Sequence, residues 1–250
     1  RDVYKRQSQG HSKAAGDAGD GTVYGPGAGP AFEVNPERVP HRARRARGSI
    51  RPGRTTLCTM LDLAASDART VCLLEGVSDV AAVRALMEGA GIDPSPIKLI
   101  SLGGATNLGR TLKEVRLLRG DVDVVGLVDE AEAHVAVRAL GEDGLPVQDA
   151  SDLPVYGFFV CSVDLEDELI RALGAERARE VLTEAGLGGK LEAMQRQDAW
   201  VGRPLAEQLH RFCGAASGRK ERAAGILAGA LAADELPEPL AMLLDRLRWA

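Results

Sequence analysis

The sequence predicts an α/β fold: a four-stranded parallel sheet flanked by helices, followed by a C-terminal helical extension. Three observations carry this expectation. Short apolar runs alternate with helix-periodic segments four times over about a hundred residues. The segment between successive runs has the length and helical period of a crossover rather than of a hairpin turn. Beyond residue 173 the strand-like runs cease, and Gly and Pro separate helical stretches.

Taken in order, TVCLLEG (70–76) is an apolar run stopped by Gly and reads as the first strand. SDVAAVRALMEGAG follows with Val80, Val83, Ala85 and Leu86 at helical spacing, with Ser78 placed to cap it. IKLISLGG is the second strand, and NLGRTLKEVRLLRG the second helix, with Leu108, Leu112, Val115 and Leu118 on one face. DVVGLVD is the third strand and EAEAHVAVRAL its helix, while VYGFFVCSV is the fourth strand before the helix DLEDELIRALG. ERAREVLTEAGL, GRPLAEQLHRFCG, GRKERAAGILAGALAADEL and PEPLAMLLDRLRWA read as helices of the extension. The expected division is residues 1–59, an α/β domain over 60–172, and helices over 173–250.

Residues 1–59 are rich in Gly, Pro and Arg and lack any period, a composition expected to be disordered. The opening RDVYKRQ resembles the scars at the ends of assembled environmental fragments, and Met60 or a residue near it is the expected native start. The alternative is that RARRARGSIRPGR is a basic arm that touches nucleic acid. The net charge of -5 conceals this asymmetry, because residues 1–59 carry +6 and residues 60–250 carry -11. An acidic body argues against direct nucleic-acid binding, but not against an acidic metal site that meets DNA through its cations. No run of 18 apolar residues suggests a membrane span, and no signal peptide opens the chain. The cysteines Cys58, Cys72, Cys161 and Cys213 form no CxxC pair, as expected of free thiols in a reducing cytoplasm.

The chemistry is expected where the strands end, because open parallel sheets bind ligands at their carboxyl edge. The first strand ends at Glu75, with Asp79 one short turn on; the second ends in Gly103-Gly104; the third ends at Asp129, with Glu130 and Glu132 beyond; the fourth ends near Asp164, with Glu166, Asp167 and Glu168 behind it. Oxygen ligands without His or Cys suit Mg²⁺ or Mn²⁺, and the glycines permit close approach of a phosphate. Acids after a strand are also ordinary helix caps and first-turn charges, which covers Asp79, Glu130, Asp167 and Glu168. Glu75 and Asp129 fit that explanation less well, since each closes an apolar run. GGATNLG is neither a Walker A loop nor a GxGxxG turn. His134 and His210 read as surface residues before a ligand pair, and Trp200 and Trp249 as packing residues.

LLEGVSDVAAVRAL, ISLGGATNL, VVGLVDEAE and VDLEDELIRALG together resemble the Toprim domain. The nearest branch is that of the overcoming-lysogenization-defect (OLD) nucleases and their ATPase-free actinobacterial relatives. The resemblance covers roughly residues 70–172, and GRKERAAGILAGAL is similar to the tail of those relatives. It implies a Toprim-like, Rossmann-type sheet and metal-dependent phosphoryl transfer or hydrolysis on DNA. Implied as metal ligands are Glu75, Asp79 and Asp129, with Glu132 or Glu130 replacing the second Asp of a DxD motif, here Ala131. Asp164 and Glu166 are implied beside the fourth strand, and Lys220 in the tail. Glu75 would act as ligand or general base, one or two divalent ions would hold the scissile phosphate, and Lys220 or Arg110 would neutralise developing charge. Gly103, Gly104 and Arg110 would face the phosphate. The missing second Asp supports an alternative, a degenerate module that binds nucleic acid, nucleotide or a partner protein. A receiver-like regulatory domain fits poorly, because Glu75-Gly76 lacks the paired acids that phospho-acceptor chemistry needs. Oligomeric state is left open, a dimer included.

Overall fold

All five residues of the first strand, TVCLL, are buried, as expected of a strand covered on both faces. The computed structural model describes residues 62–215 and 217–250. Its sheet holds β1 (Thr70–Leu74), β2 (Ile97–Ser101), β3 (Asp123–Asp129) and β4 (Phe158–Cys161), all parallel, in the order β2-β1-β3-β4. Leu74 pairs with Ser101 on one side and Leu127 on the other, and Asp129 with Cys161. The helices between them are α1 (Val77–Gly89), α2 (Leu108–Leu118) and α3 (Ala133–Glu142).

Strand side chains alternate between two cores. Val71 and Leu73 join Leu112, Val115, Ala136 and Leu140 of α2 and α3. Cys72 and Leu74 join Val83 and Leu86 of α1 on the opposite face. The helices that leave β1 and β3 thus go to opposite faces, although the two strands are neighbours. That is a topological switch point, and it opens a crevice above the carboxyl ends of β1 and β3.

The C-terminal helices fill out the α1 face. They are α4 (Leu165–Leu173), α5 (Ala175–Glu184), α6 (Gly188–Gln195), α7 (Leu205–Gly214), α8 (Ser217–Gly229) and α9 (Glu238–Arg248). Leu209, Phe212, Leu227, Leu240 and Leu243 share one continuous core with Cys72 and Val125. Helix α8 lies along α1 through small residues. A Cβ on Gly225 would lie 3.6 Å from the Ala81 carbonyl, and one on Gly229 3.8 Å from Ala85 Cβ. The pairing ascends in both helices, so α8 runs parallel to α1 and starts near the start of α1. Within the sheet, a Cβ on Gly126 would meet the ring of Phe158 at 2.5 Å, so glycine is what lets β4 pack there.

Several expectations need correction. Val155 and Tyr156 belong to a 3-10 turn (Ala150–Tyr156) rather than to β4; Pro154 lacks a donor and Gly157 ends the turn with φ 78°. Ser78 does not cap α1: Gly76 is the cap, and Ser78 lies within the first turn. Leu118 is 45% exposed because α2 ends at that residue. GGKLEAMQ forms α6, which periodicity did not reveal, and the helix expected through residue 236 stops at Gly229. Trp249 is 86% exposed and packs on little. Cys72, Cys161 and Cys213 are buried free thiols, with burial as the first cause pushing each thiol up, Cys213 to about 12. Among the described residues no helix is long and apolar enough to cross a membrane. Cys58, the basic arm, Met60 and the expected extension 1–59 lie outside the described residues.

Candidate metal centre

Glu75 follows the last residue of β1, and Asp129 ends the neighbouring β3 one register step further on, so both acids lie at the switch point. A 3-10 turn (Glu130–Glu132) comes next. With three residues per turn, it returns Glu132 to the side of Asp129. Carboxylate oxygens of Glu75, Asp129 and Glu132 all lie within 4.8 Å of one another. At 4.8 Å, two like charges repel by about 3.5 kcal/mol at an effective dielectric of about 20.

The titration behaviour reflects that crowding. Burial, then Glu75, Asp79, Asp164 and Glu166, pushes the Asp129 carboxyl up to about 7. Glu75 is also raised, first by burial and then by Asp79 and Glu132, against a lowering influence from Lys220. Glu75 Oε2 is inaccessible and has no hydrogen-bond partner among the described residues. Three convergent carboxylates, one with an orphaned buried oxygen, fit a hard divalent cation. They offer no thiolate or imidazole for a softer ion.

The other acids are engaged elsewhere. Asp79 is buried; its Oδ2 accepts from the Gly76 amide (2.9 Å) and its Oδ1 from Ser78 Oγ (3.1 Å). This is the reach-back half of a capping box, the other half being closed to a glycine cap. Asp164 caps α4, with Oδ1 accepting from the Asp167 amide at 2.8 Å, while Oδ2 accepts from His210 Nε2 at 2.7 Å. Glu168, also buried, accepts from the Ser162 amide (2.8 Å) and pairs with Arg171. Glu130 is exposed and its Oε2 accepts from the Val163 amide at 3.4 Å. Val163, at φ 66°, is a β-branched residue in left-handed backbone, so the loop between β4 and α4 is strained beside the crevice.

Glu166 is 3% exposed, and its Oε2 meets Lys220 Nζ at 3.3 Å. Its Oε1 is buried without a partner among the described residues. Burial raises Glu166, and Lys220 opposes that. Burial alone would lower Lys220, but Glu166 and Asp79 outweigh it and hold the ammonium above its ordinary range. Lys220 reaches this place because α8 starts beside the start of α1.

Gly103 and Gly104 take φ 68° and 117°, which only glycine adopts freely, and no atom lies within 4 Å of either missing Cβ. The Gly104 amide donates to the Glu75 carbonyl at 3.0 Å. Arg110 bonds Asn107 Oδ1 (3.2 Å) and lines a groove between α2 and α3 with Lys113 and Arg138. His134 and His210 do not pair; His134 Nδ1 lies 2.9 Å from the Ala131 carbonyl, and His210 serves Asp164. The contact of His210, across 46 residues, carries no local sequence signal.

Several solved structures resemble the chain. The C-terminal region of the Xanthomonas campestris pv. campestris OLD protein, phased with iodine, matches at TM-score 0.53 and 26% identity, over 72% of this chain and 94% of that one. The form phased with platinum matches at TM-score 0.52 and 27% identity, over 72% and 92%. The C-terminal region of the Burkholderia pseudomallei OLD protein matches in fold at TM-score 0.53 and 23% identity, over 72% and 97%. This chain carries an OLD-like Toprim domain. No family profile matches the chain, and no curated protein matches its sequence. In the OLD-like Toprim domain, the acids at and just beyond the ends of β1 and β3 form the cluster able to take a metal ion.

Proposed function

We propose that this OLD-like Toprim domain is a divalent-metal-dependent nuclease acting on DNA, with Mg²⁺ or Mn²⁺ held by Glu75, Asp129 and Glu132. The observation that carries the proposal is the convergence of those three carboxylates, with one oxygen of Glu75 buried and unpartnered. A divalent cation there would supply Lewis-acid polarisation of a phosphodiester. Lys220, held in place by Glu166, neutralises charge that develops on the phosphate. Asp79 and Asp164 shape the crevice by fixing the starts of α1 and α4. The open backbone at Gly103 and Gly104 gives the phosphate room to approach. With Ala131 at the second DxD position and both Asp164 oxygens engaged, the site is proposed to hold one cation, with Glu132 completing the set.

The test is nicking of supercoiled plasmid by the full chain in Mg²⁺ or Mn²⁺, with Glu75→Gln as control. Nicking by the wild type and not by the variant is expected. If the two proteins behave alike and neither melts at a higher temperature with metal, the domain is a binding module instead.

A further inference from the structure

The C-terminal helices hold a second feature of opposite chemistry. A cleft of about 350 Å³ between α6, α7 and the start of α8 is faced by Lys190, Met194, Trp200, Arg211 and Arg219. Among the described residues, Lys190, Arg211 and Arg219 have no ion-pair partner, although most other arginines of these helices are paired. The cations stand in a body, residues 60–250, that carries -11.

The walls are held in place. Gln208 is buried, and its amide donates to the carbonyls of Trp200 (2.8 Å) and Arg203 (3.1 Å) while accepting from Gln195 (2.6 Å). Arg203 lies over the indole of Trp200 at 5.1 Å, which leaves at most one ring face for a ligand. Arg219 stacks on Phe212 at 4.4 Å and spends only its Nε, on the Ala215 carbonyl. Lys190 and Arg211 make no side-chain hydrogen bond among the described residues.

The cleft and the acidic crevice draw on consecutive residues of the same helices. Arg211 follows His210, which bonds Asp164, and Arg219 precedes Lys220, which bonds Glu166. Neighbours on a helix point about 100° apart. One face of α7 and α8 therefore meets the acids at the start of α4 while the adjoining face lines the cleft.

We infer that this cleft binds a single-stranded segment of nucleic acid, with a base against Trp200 and phosphates on Lys190, Arg211 and Arg219. An aromatic ring that shares a cleft with unpaired cations is the recognition chemistry of single strands: the ring takes any base, and the cations follow the backbone. The inference rests on the nucleic-acid reading above and adds that the strand leading to the metal centre is unpaired.

The test uses the full chain carrying Trp249→Phe, which leaves Trp200 as the single indole, in EDTA so that the metal centre is silent. Trp200 fluorescence is titrated with oligothymidylate of about 8 nucleotides, with a duplex of equal length, and with pyrophosphate. Saturable quenching is expected from oligothymidylate, with at least about tenfold weaker binding of the duplex. The double variant Lys190→Gln/Arg211→Gln, both surface changes, should bind oligothymidylate roughly tenfold less tightly. Its log–log salt slope should fall by about 1.4. Absent quenching, unchanged affinity in the double variant, or equal binding of the duplex would overturn the inference. Equal quenching by pyrophosphate would do so too, since that is the behaviour of a bare anion site. None of these outcomes touches the nicking result, which reads the metal centre alone.

Discussion

The crevice has two acidic halves, and they use the same side chain for different ends. On the β1–β3 half, Glu75, Asp129 and Glu132 crowd within 4.8 Å, and a Glu75 oxygen is left without a partner. On the β4–α4 half, Asp164 spends both oxygens, one on the α4 amide and one on His210. Asp79 likewise spends both, on Gly76 and Ser78. A carboxylate that accepts backbone amides at a helix start stabilises the fold with no cation present. A carboxylate that faces only other carboxylates needs a proton or a cation. The difference shows that position at a strand end does not by itself mark a metal ligand; an unspent oxygen among converging carboxylates does, whereas the unspent Glu166 Oε1 belongs to a carboxylate already paired with Lys220.

The comparison is sharpened most by Glu75→Gln. It should abolish the metal-induced rise in melting temperature and reduce nicking by more than the roughly 100-fold that outer-shell losses reach. Equal metal shifts in variant and wild type would place the cation elsewhere.

The next effect is on pH. The folded carboxyl of Asp129 titrates at about 7, above its ordinary value of 3.8, so between those values the folded chain binds more protons than the unfolded one. Without divalent cations, stability should therefore fall as pH rises from about 4 to 7. Saturating Mg²⁺ should flatten that decline. Urea unfolding across this range, with and without metal, measures both; a flat profile in EDTA would mean that the β1–β3 acids do not crowd.

Asp164→Ala should cost about 1 kcal/mol through the lost cap and leave the metal-induced melting shift intact. Loss of that shift would move Asp164 into the ligand set. Asp79→Asn is the mildest change. An amide oxygen still accepts from Gly76, so stability should move by no more than a few tenths of a kcal/mol. Carboxyl carbon NMR should find Asp129 titrating at a lower pH, because one of its raising charges is gone.

Much of this was legible in the chain. The four apolar runs predict the parallel sheet, and Glu75 and Asp129 stand out because each closes such a run. The resemblance leaves Glu130 and Glu132 both open as stand-ins for a second Asp, and only the 3-10 turn shows how Glu132, three positions on, comes back. Boundaries were less legible: Pro154 and the left-handed Gly157 removed Val155 and Tyr156 from β4. The engagement of Asp164 by His210 was not legible, because nothing in a sequence reports a contact across 46 residues.

The sequence by itself determined the strand–helix alternation, the two-sided burial of the strands and the supply of acids to one edge, since these follow from local periodicity and chain direction. Only the tertiary structure decided which acids stay free. That choice depends on the strand order that places β1 beside β3, and on the parallel packing of α8 against α1 that delivers Lys220. Both are long-range packing outcomes, governed by how two cores close on a sheet rather than by any residue's neighbours along the chain.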